Sequence, residues 1–306
     1  MAREDDPSQA PLVSIVTPSL NQGRFIEDAV KSVLGQDYPR VEYLVMDGGS
    51  TDETLSVLRR YHGALQFTSG PDGGQAAAIN GGFRATAGEV LGWLNADDLY
   101  EPAAVSAAVA YLREHPETAL VYGDARHVDT EGRDLGPCAY VEPANVERLI
   151  HEVDYIVQPA SFFRRSAFEA VGGLDESLHW ALDYDLWLKI ARRFPIAYLP
   201  RPLARYRLTG ENKTARGRFD RFAELDRVGR RHGAGGLAAV FRVDLFWLSI
   251  KEARRLAVRG SLGGAARMAG RAAGALLLSP RALRHFARLC AAKLRPRRAA
   301  PATPAR

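Results

Sequence analysis

Gly92-Trp93-Leu94-Asn95-Ala96-Asp97-Asp98 ends an apolar run on two adjacent carboxylates. The run Glu89-Val90-Leu91-Gly92-Trp93-Leu94 reads as a buried strand, and a chain leaving a buried strand delivers its next side chains to the edge of the sheet. Carboxylates there suit a divalent cation, because Mg²⁺ and Mn²⁺ take oxygen ligands and commonly share themselves between one or two carboxylates and a diphosphate. The competing reading is that Asp97 and Asp98 cap a helix beginning near Pro102, as Asp often does. Taken alone, the stretch leaves both readings open.

Upstream, Val13-Ser14-Ile15-Val16-Thr17-Pro18-Ser19-Leu20-Asn21 is a β-branched strand ending in turn residues. A helical pattern of Phe25, Ala29, Val30, Val33 and Leu34 follows. A second strand, Glu42-Tyr43-Leu44-Val45-Met46, runs into Asp47-Gly48-Gly49-Ser50-Thr51-Asp52-Glu53. Ser50 and Glu53 have the spacing of a capping box, which predicts a helix over about 52–61. Strand, helix, strand, helix implies parallel strands with short loops at their carboxyl ends, where ligands bind.

These segments, with Gly70-Pro71-Asp72-Gly73-Gly74-Gln75, Asn80-Gly81-Gly82, Ala87-Gly88-Glu89, Asn95-Ala96-Asp97-Asp98, Gly172-Gly173-Leu174-Asp175-Glu176 and Asp183-Tyr184-Asp185-Leu186-Trp187-Leu188, stand in a fixed order. In that order they resemble the inverting family 2 glycosyltransferases over roughly residues 12–214. The resemblance implies an α/β fold of GT-A type, a Rossmann-like and mostly parallel sheet flanked by helices. It implies a nucleotide-diphospho-sugar donor, a saccharide or lipid-linked saccharide acceptor and a divalent cation, Mn²⁺ or Mg²⁺.

Residue by residue, Asp97 matches the family's metal-binding Asp, with Asp98 as a second carboxylate that either adds a ligand or fixes the loop. Thr17, Pro18 and Ser19 correspond to nucleoside contacts, and Asp47 and Asp72 to base- and ribose-binding acids. For Asp47 the alternative is a turn residue before glycines. Asn80 is either a sugar-site residue or structural. Asp183 occupies the place of the acceptor-side general base, and Asp185 reads as a helix N-terminal residue. His179 and Trp180 are candidates for the acceptor cleft. Four positions depart from the family's usual residues: Gly48 and Asn95 stand where Asp is common, Leu182 where Glu is, and Thr209 where His is. The last leaves Arg205, Arg207 or Lys213 to supply positive charge to the diphosphate. The 207–218 loop suits either a lid over the donor or a plain linker.

The chain's 306 residues, 46% of them hydrophobic, suffice for one large core with an appendage. Only Cys138 and Cys290 are present, which excludes a disulfide framework and predicts a reducing cytoplasm. Residues 1–11 are expected to be disordered, 12–232 to form the catalytic domain and 233–306 a basic amphipathic tail. The first ten residues lack the apolar core of a secretory signal, and no apolar stretch reaches spanning length. Residues 230–306 hold 17 Lys or Arg against Asp244 and Glu252, a net of +15 in a chain of net +5, so residues 1–229 carry −10. In the tail, Phe246, Ile250, Ala253 and Ala257 alternate with Lys251, Arg255 and Arg259. Further on, Leu283, Phe286, Cys290 and Leu294 oppose Arg281, Arg284, Arg288 and Arg295. Such helices lie on an anionic membrane surface with Phe246, Trp247 or Phe286 dipping inward, here the inner face of the cell membrane. Packing on the catalytic domain is the equal alternative for 241–258. No nucleic-acid motif appears.

A sugar-phosphate nucleotidyltransferase needs Arg or Lys in its glycine-rich N-terminal loop, and Thr17 to Gly23 has neither. A processive synthase would carry spanning helices and a Gln-x-x-Arg-Trp motif. A catalytically inactive, membrane-associated scaffold stays open through the Asn95, Leu182 and Thr209 departures.

Overall fold

The computed structural model describes residues 10–210, 213, 217–277, 279–284 and 286–287. Residues 1–9, and in the tail Arg288, Cys290, Leu294, Arg295, Arg297 and Arg298, lie outside the described residues.

Nine strands build one sheet: β1 (Val13–Ser19), β2 (Val41–Asp47), β3 (Gln66–Ser69), β4 (Val90–Trp93), β5 (Leu99–Tyr100), β6 (Leu120–Val128), β7 (Asp134–Pro137), β8 (Ser161–Arg164) and β9 (Ile196–Arg207). Their order is β3-β2-β1-β4-β8-β6-β9-β5, with β7 paired to β6 beside it. The first four are mutually parallel, as the strand-helix alternation predicts, and Ser19 pairs with Asp47 and Asp47 with Ser69 in register. Three carboxyl ends therefore meet at one edge. The antiparallel insertion of β8 between β4 and β6 makes the other half mixed.

The helices are α1 (Ile26–Leu34), α2 (Thr54–Arg59), α3 (Gln75–Ala85), α4 (Ala104–Glu114), α5 (Val146–His151), α6 (Arg165–Ala170), α7 (Leu182–Ala191), α8 (Arg218–Arg231), α9 (Ala239–Val258) and α10 (Leu262–Leu277). One core unites α1, α2 and α4 with one set of strand side chains. A second unites α3 and α5 to α8 around Trp93, Phe163 and Trp187. Gly92 faces the first core: a Cβ there would lie 2.6 Å from Ile15 Cδ1 and 2.7 Å from the Tyr100 hydroxyl, so those side chains would have to shift.

Two capping expectations are corrected. Helix α2 starts at Thr54, whose N–H and hydroxyl are both taken by Asp52 Oδ1 at 3.0 and 2.5 Å. Ser50 instead accepts from the Asn21 N–H at 2.7 Å and donates to Asp47, so no capping box forms. Helix α4 starts behind Ala103 without a side-chain cap, and the Val105 N–H goes to Gln36 Oε1 at 3.0 Å. The Asp pair is left to the sheet edge.

The glycine cluster at 233–236 turns α8 into α9, yet the start of α9 shares the main core. Ala238 and Phe241 are buried there, with the Phe241 ring edge-on to Tyr184 at 5.3 Å. Helices α9 and α10 then form a hairpin whose own small core holds Ala239, Val243, Leu276 and Ala282. Phe246 and Phe286 pack on one another at 5.4 Å. Both rings stay half-buried, and Trp247, which also touches Phe286, is 45% exposed.

Candidate active site at the carboxyl ends of the strands

At the ends of β1 and β2, the buried Thr17 hydroxyl lies 3.1 Å from that of Tyr43. Ser19, beyond Pro18, keeps a buried hydroxyl with no hydrogen-bond partner among the described residues. A buried polar atom without a partner costs free energy unless a ligand or water completes it. Asp47, by contrast, is engaged by its own loop and by the end of β3. It accepts from the Gly49 and Ser50 N–H groups at 3.1 and 2.9 Å, from Ser69 Oγ at 2.6 Å and from Ser50 Oγ. This geometry is the turn-residue alternative. Asp72 stands close by, with one oxygen on the Gly74 N–H at 2.8 Å. A Cβ on Gly48 would come 3.0 Å from Asp72 Oδ2, so a second Asp at position 48 would crowd and repel Asp72. Met46, Asp47, Ser69 and Asp72 line a cleft here with Ala77 and Ala78 of α3.

Beyond β4 the Asp97 loop is held by amides. Asn95 Oδ1 accepts from Trp93 Nε1 and Gln75 Nε2, both at 2.9 Å, while its Nδ2 donates to Gln158 Oε1 at 2.8 Å. Asp98 is 1% exposed and accepts the Arg207 N–H at 2.9 Å. Of its two alternatives it has the geometry of the loop-fixing one. Burial, then the charge of Asp97, pushes the Asp98 carboxyl well above the usual carboxylate range. Burial also raises Asp97, against the pull of the nearby Arg207. Arg207 is itself buried and ties the loop to three segments. It donates to the Asp97 carbonyl at 2.9 Å, to the carbonyls of Asp129 and Thr130 at 3.2 and 3.1 Å, and to Asp28 at 2.9 Å. Asp97, half-buried beside the buried Asp98, is the more accessible oxygen donor of the pair. Among the described residues no three His, Cys, Asp or Glu side chains form a metal cage.

Asp183 lies in the first turn of α7, accepting from the N–H of its neighbour Tyr184 at 2.8 Å. Burial raises its carboxyl. Burial, then the charge of Asp183, drives the Asp154 carboxyl well above the ordinary range. The strand of chain before Asp183 hangs on Glu224 of α8: its buried carboxylate accepts from His179, Trp180 and Ala181 N–H at 2.9, 2.5 and 2.6 Å. Gly217 abuts the Trp180 indole, where a Cβ would be 2.8 Å from the ring. Asp185, buried one turn in, pairs with Lys189 at 2.7 Å and His232 at 3.0 Å, locking α7 to the end of α8.

Asn80 is not brought to this edge. Its amide makes a closed set with the Leu174 carbonyl and N–H, each at 3.0 Å, and with Glu176 at 2.9 Å. That is the structural alternative. Three organising residues escaped the sequence reading. Asp154 had a signal, since it interrupts the apolar run Val153 to Val157 as Asp97 ends its own. Glu224 lies one turn before the buried Val228 on the inward stripe of α8. Gln158 carried no signal.

The sheet, mixed with a parallel half and flanked by helices, is an α/β architecture of GT-A type. Residues 14–172 match the family described as Glycosyl transferase family 2, and the chain belongs to it. Among curated proteins it is 32% identical over 208 residues to chondroitin synthase of Escherichia coli, covering 67% of this chain and 30% of that protein. It spans 33% and 32% of two glycosyltransferases of Rickettsia felis and Rickettsia conorii. Among solved structures, S. aureus TarS 1-349 in complex with UDP superposes with a TM-score of 0.62 at 19% identity, over 91% of this chain and 87% of that one. The mannosyltransferase PcManGT of Pyrobaculum calidifontis, in complex with GDP-Man and Mn²⁺, gives 0.55 at 21%, over 95% and 82%.

Proposed function

We propose that the chain is an inverting, metal-assisted glycosyltransferase that moves a sugar from a nucleotide-diphospho-sugar to an acceptor hydroxyl in surface polysaccharide or glycolipid assembly. The observation that carries this reading is one sheet edge with two separate carboxylate centres, Asp97 and the Asp183–Asp154 couple. The unfilled Ser19 hydroxyl and Asp72 offer polar contacts for a nucleoside, beside the Thr17 and Pro18 backbone. Asp97 would hold the divalent ion, which when bound neutralises charge developing on the departing diphosphate. Asp183 removes the acceptor proton, and its raised carboxyl makes it a stronger base than an ordinary carboxylate. A single displacement from the face opposite the leaving group inverts the anomeric configuration.

For the tail the reading is a peripheral site on the cytoplasmic face of the membrane. Among the described residues no helix is long and apolar enough to cross a membrane. The hairpin tip exposes Val258 at 89% and Leu262 at 73% between Arg255, Arg259 and Arg267, a surface with the chemistry of an anionic lipid interface. The acceptor's lipid-linked nature follows from that position.

Release of nucleoside diphosphate from sugar donors with added Mn²⁺ tests the core of the proposal. Asp97→Asn should lower turnover by roughly 10²-fold or more, the scale of losing an electrostatic stabiliser, while keeping its fold. Undiminished turnover in excess chelator, or a product with retained configuration, refutes it.

A further inference from the structure

Among the described residues, three cations, Arg205, Arg207 and Lys213, flank Thr209 in sequence, where relatives carry His, and their surroundings separate them. Arg205 is committed to Glu101, with both guanidinium contacts at 2.9 Å. Arg207 is committed to Asp28 and to three carbonyls inside the fold. Lys213 differs: its Nζ donates to a neutral group, Gln75 Oε1, at 2.7 Å. Gln75 opens α3, an eleven-residue helix preceded by Gly74 at φ +106°. The first N–H groups of such a helix and its dipole favour an anion. The same Gln75 donates through Nε2 to Asn95 of the Asp97 loop at 2.9 Å. On the other side, the Lys213 charge is felt by Asp183. The ammonium is thus suspended between the metal-side loop, a helix N-terminus and the general base.

We propose that Lys213 is the protein's diphosphate-binding cation, parked on Gln75 and transferring its N–H donors to the phosphate oxygens of a nucleoside diphosphate laid across the start of α3. The inference rests on the glycosyl-transfer reading and adds the residue that takes the role left by the absent His. Burial lowers the Lys213 ammonium from its ordinary value, a cost that an entering phosphate reverses.

Isothermal titration of UDP, GDP, ADP and dTDP, each beside its parent nucleoside, tests the assignment in chelator and again with Mn²⁺. The wild-type chain is expected to bind one diphosphate more tightly than the matching nucleoside. Lys213→Gln should weaken that diphosphate by about tenfold or more, the scale of a charge-assisted hydrogen bond. Nucleoside affinity should stay unchanged, and Lys213→Arg should keep most of the diphosphate affinity. Equal diphosphate binding by wild type and Lys213→Gln overturns the assignment, as does a parallel loss of nucleoside binding. If the wild type binds none of the four diphosphates, the glycosyl-transfer reading fails and takes this inference with it.

Discussion

Replacing Glu224 by Ala removes the acceptor for three consecutive N–H groups immediately before α7, at 2.9, 2.5 and 2.6 Å. A hydrogen bond to a charged group contributes about 1.5–3 kcal/mol net. His179 is exposed and Trp180 half-buried, so water replaces part of the loss, and Ala181 alone is left fully buried. The expected destabilisation is about 3–5 kcal/mol, a large share of an ordinary folding free energy. Glu224→Gln keeps one acceptor oxygen and should lose roughly half as much. Urea unfolding at constant m reads this directly. The catalytic signature is separate: Asp183 follows two residues after Ala181, and a misplacement of about 1 Å can cost 10²-fold in rate. Turnover of the folded Glu224→Gln protein should therefore fall while nucleoside diphosphate affinity holds, because Ser19, Asp72 and Asp97 sit on other elements. An unchanged urea midpoint for Glu224→Ala would refute the capping role. Turnover and donor affinity falling in proportion would refute the positioning role.

Burial and the charge of Asp183 keep Asp154 protonated while Asp183 ionises, so Asp154→Asn should leave the acid limb of kcat/KM in place; a limb that moves counts against that order of ionisation. Asp175 is held at about 2 by Ser177 and Arg231. A depressed carboxylate contributes its stability above the unfolded value and loses it as pH falls through the folded one. Urea midpoints of wild type and Asp175→Asn should accordingly converge between about pH 4 and pH 2, and a gap constant over that window would exclude the ion pair as its source. Flotation on anionic vesicles should weaken by about fivefold for each of Arg259→Gln and Arg267→Gln. The attachment should also be lost near 1 M salt, where the Debye length is about 3 Å; persistence there would mean that Val258 and Leu262 insert on their own.

The parallel half of the sheet and the placing of Asp97 at its edge were legible in the chain itself. Buried β-branched runs alternating with amphipathic helices admit few arrangements, and a carboxylate that ends such a run has to emerge at the sheet's rim. Asp183 was legible through its motif, as a residue at the start of a helix whose Trp187 and Leu188 are buried. What each polar group bonds was not legible, because partners lie far apart in sequence: Arg207 with Asp28, Asn80 with Leu174, Glu224 with the 179–181 backbone. The same limit explains the capping errors, since local spacing offers Ser50 and Glu53 to a helix start while tertiary packing hands Ser50 to Asn21 and Asp47. It also explains the tail, where periodicity identifies an apolar stripe but only the α9–α10 hairpin decides that Phe246 and Phe286 face each other. Composition and pattern determine which surfaces must be buried and where charge collects; three-dimensional proximity alone determines which charges are already spent inside the fold, as Arg207 is on Asp28 and the Asp97 carbonyl.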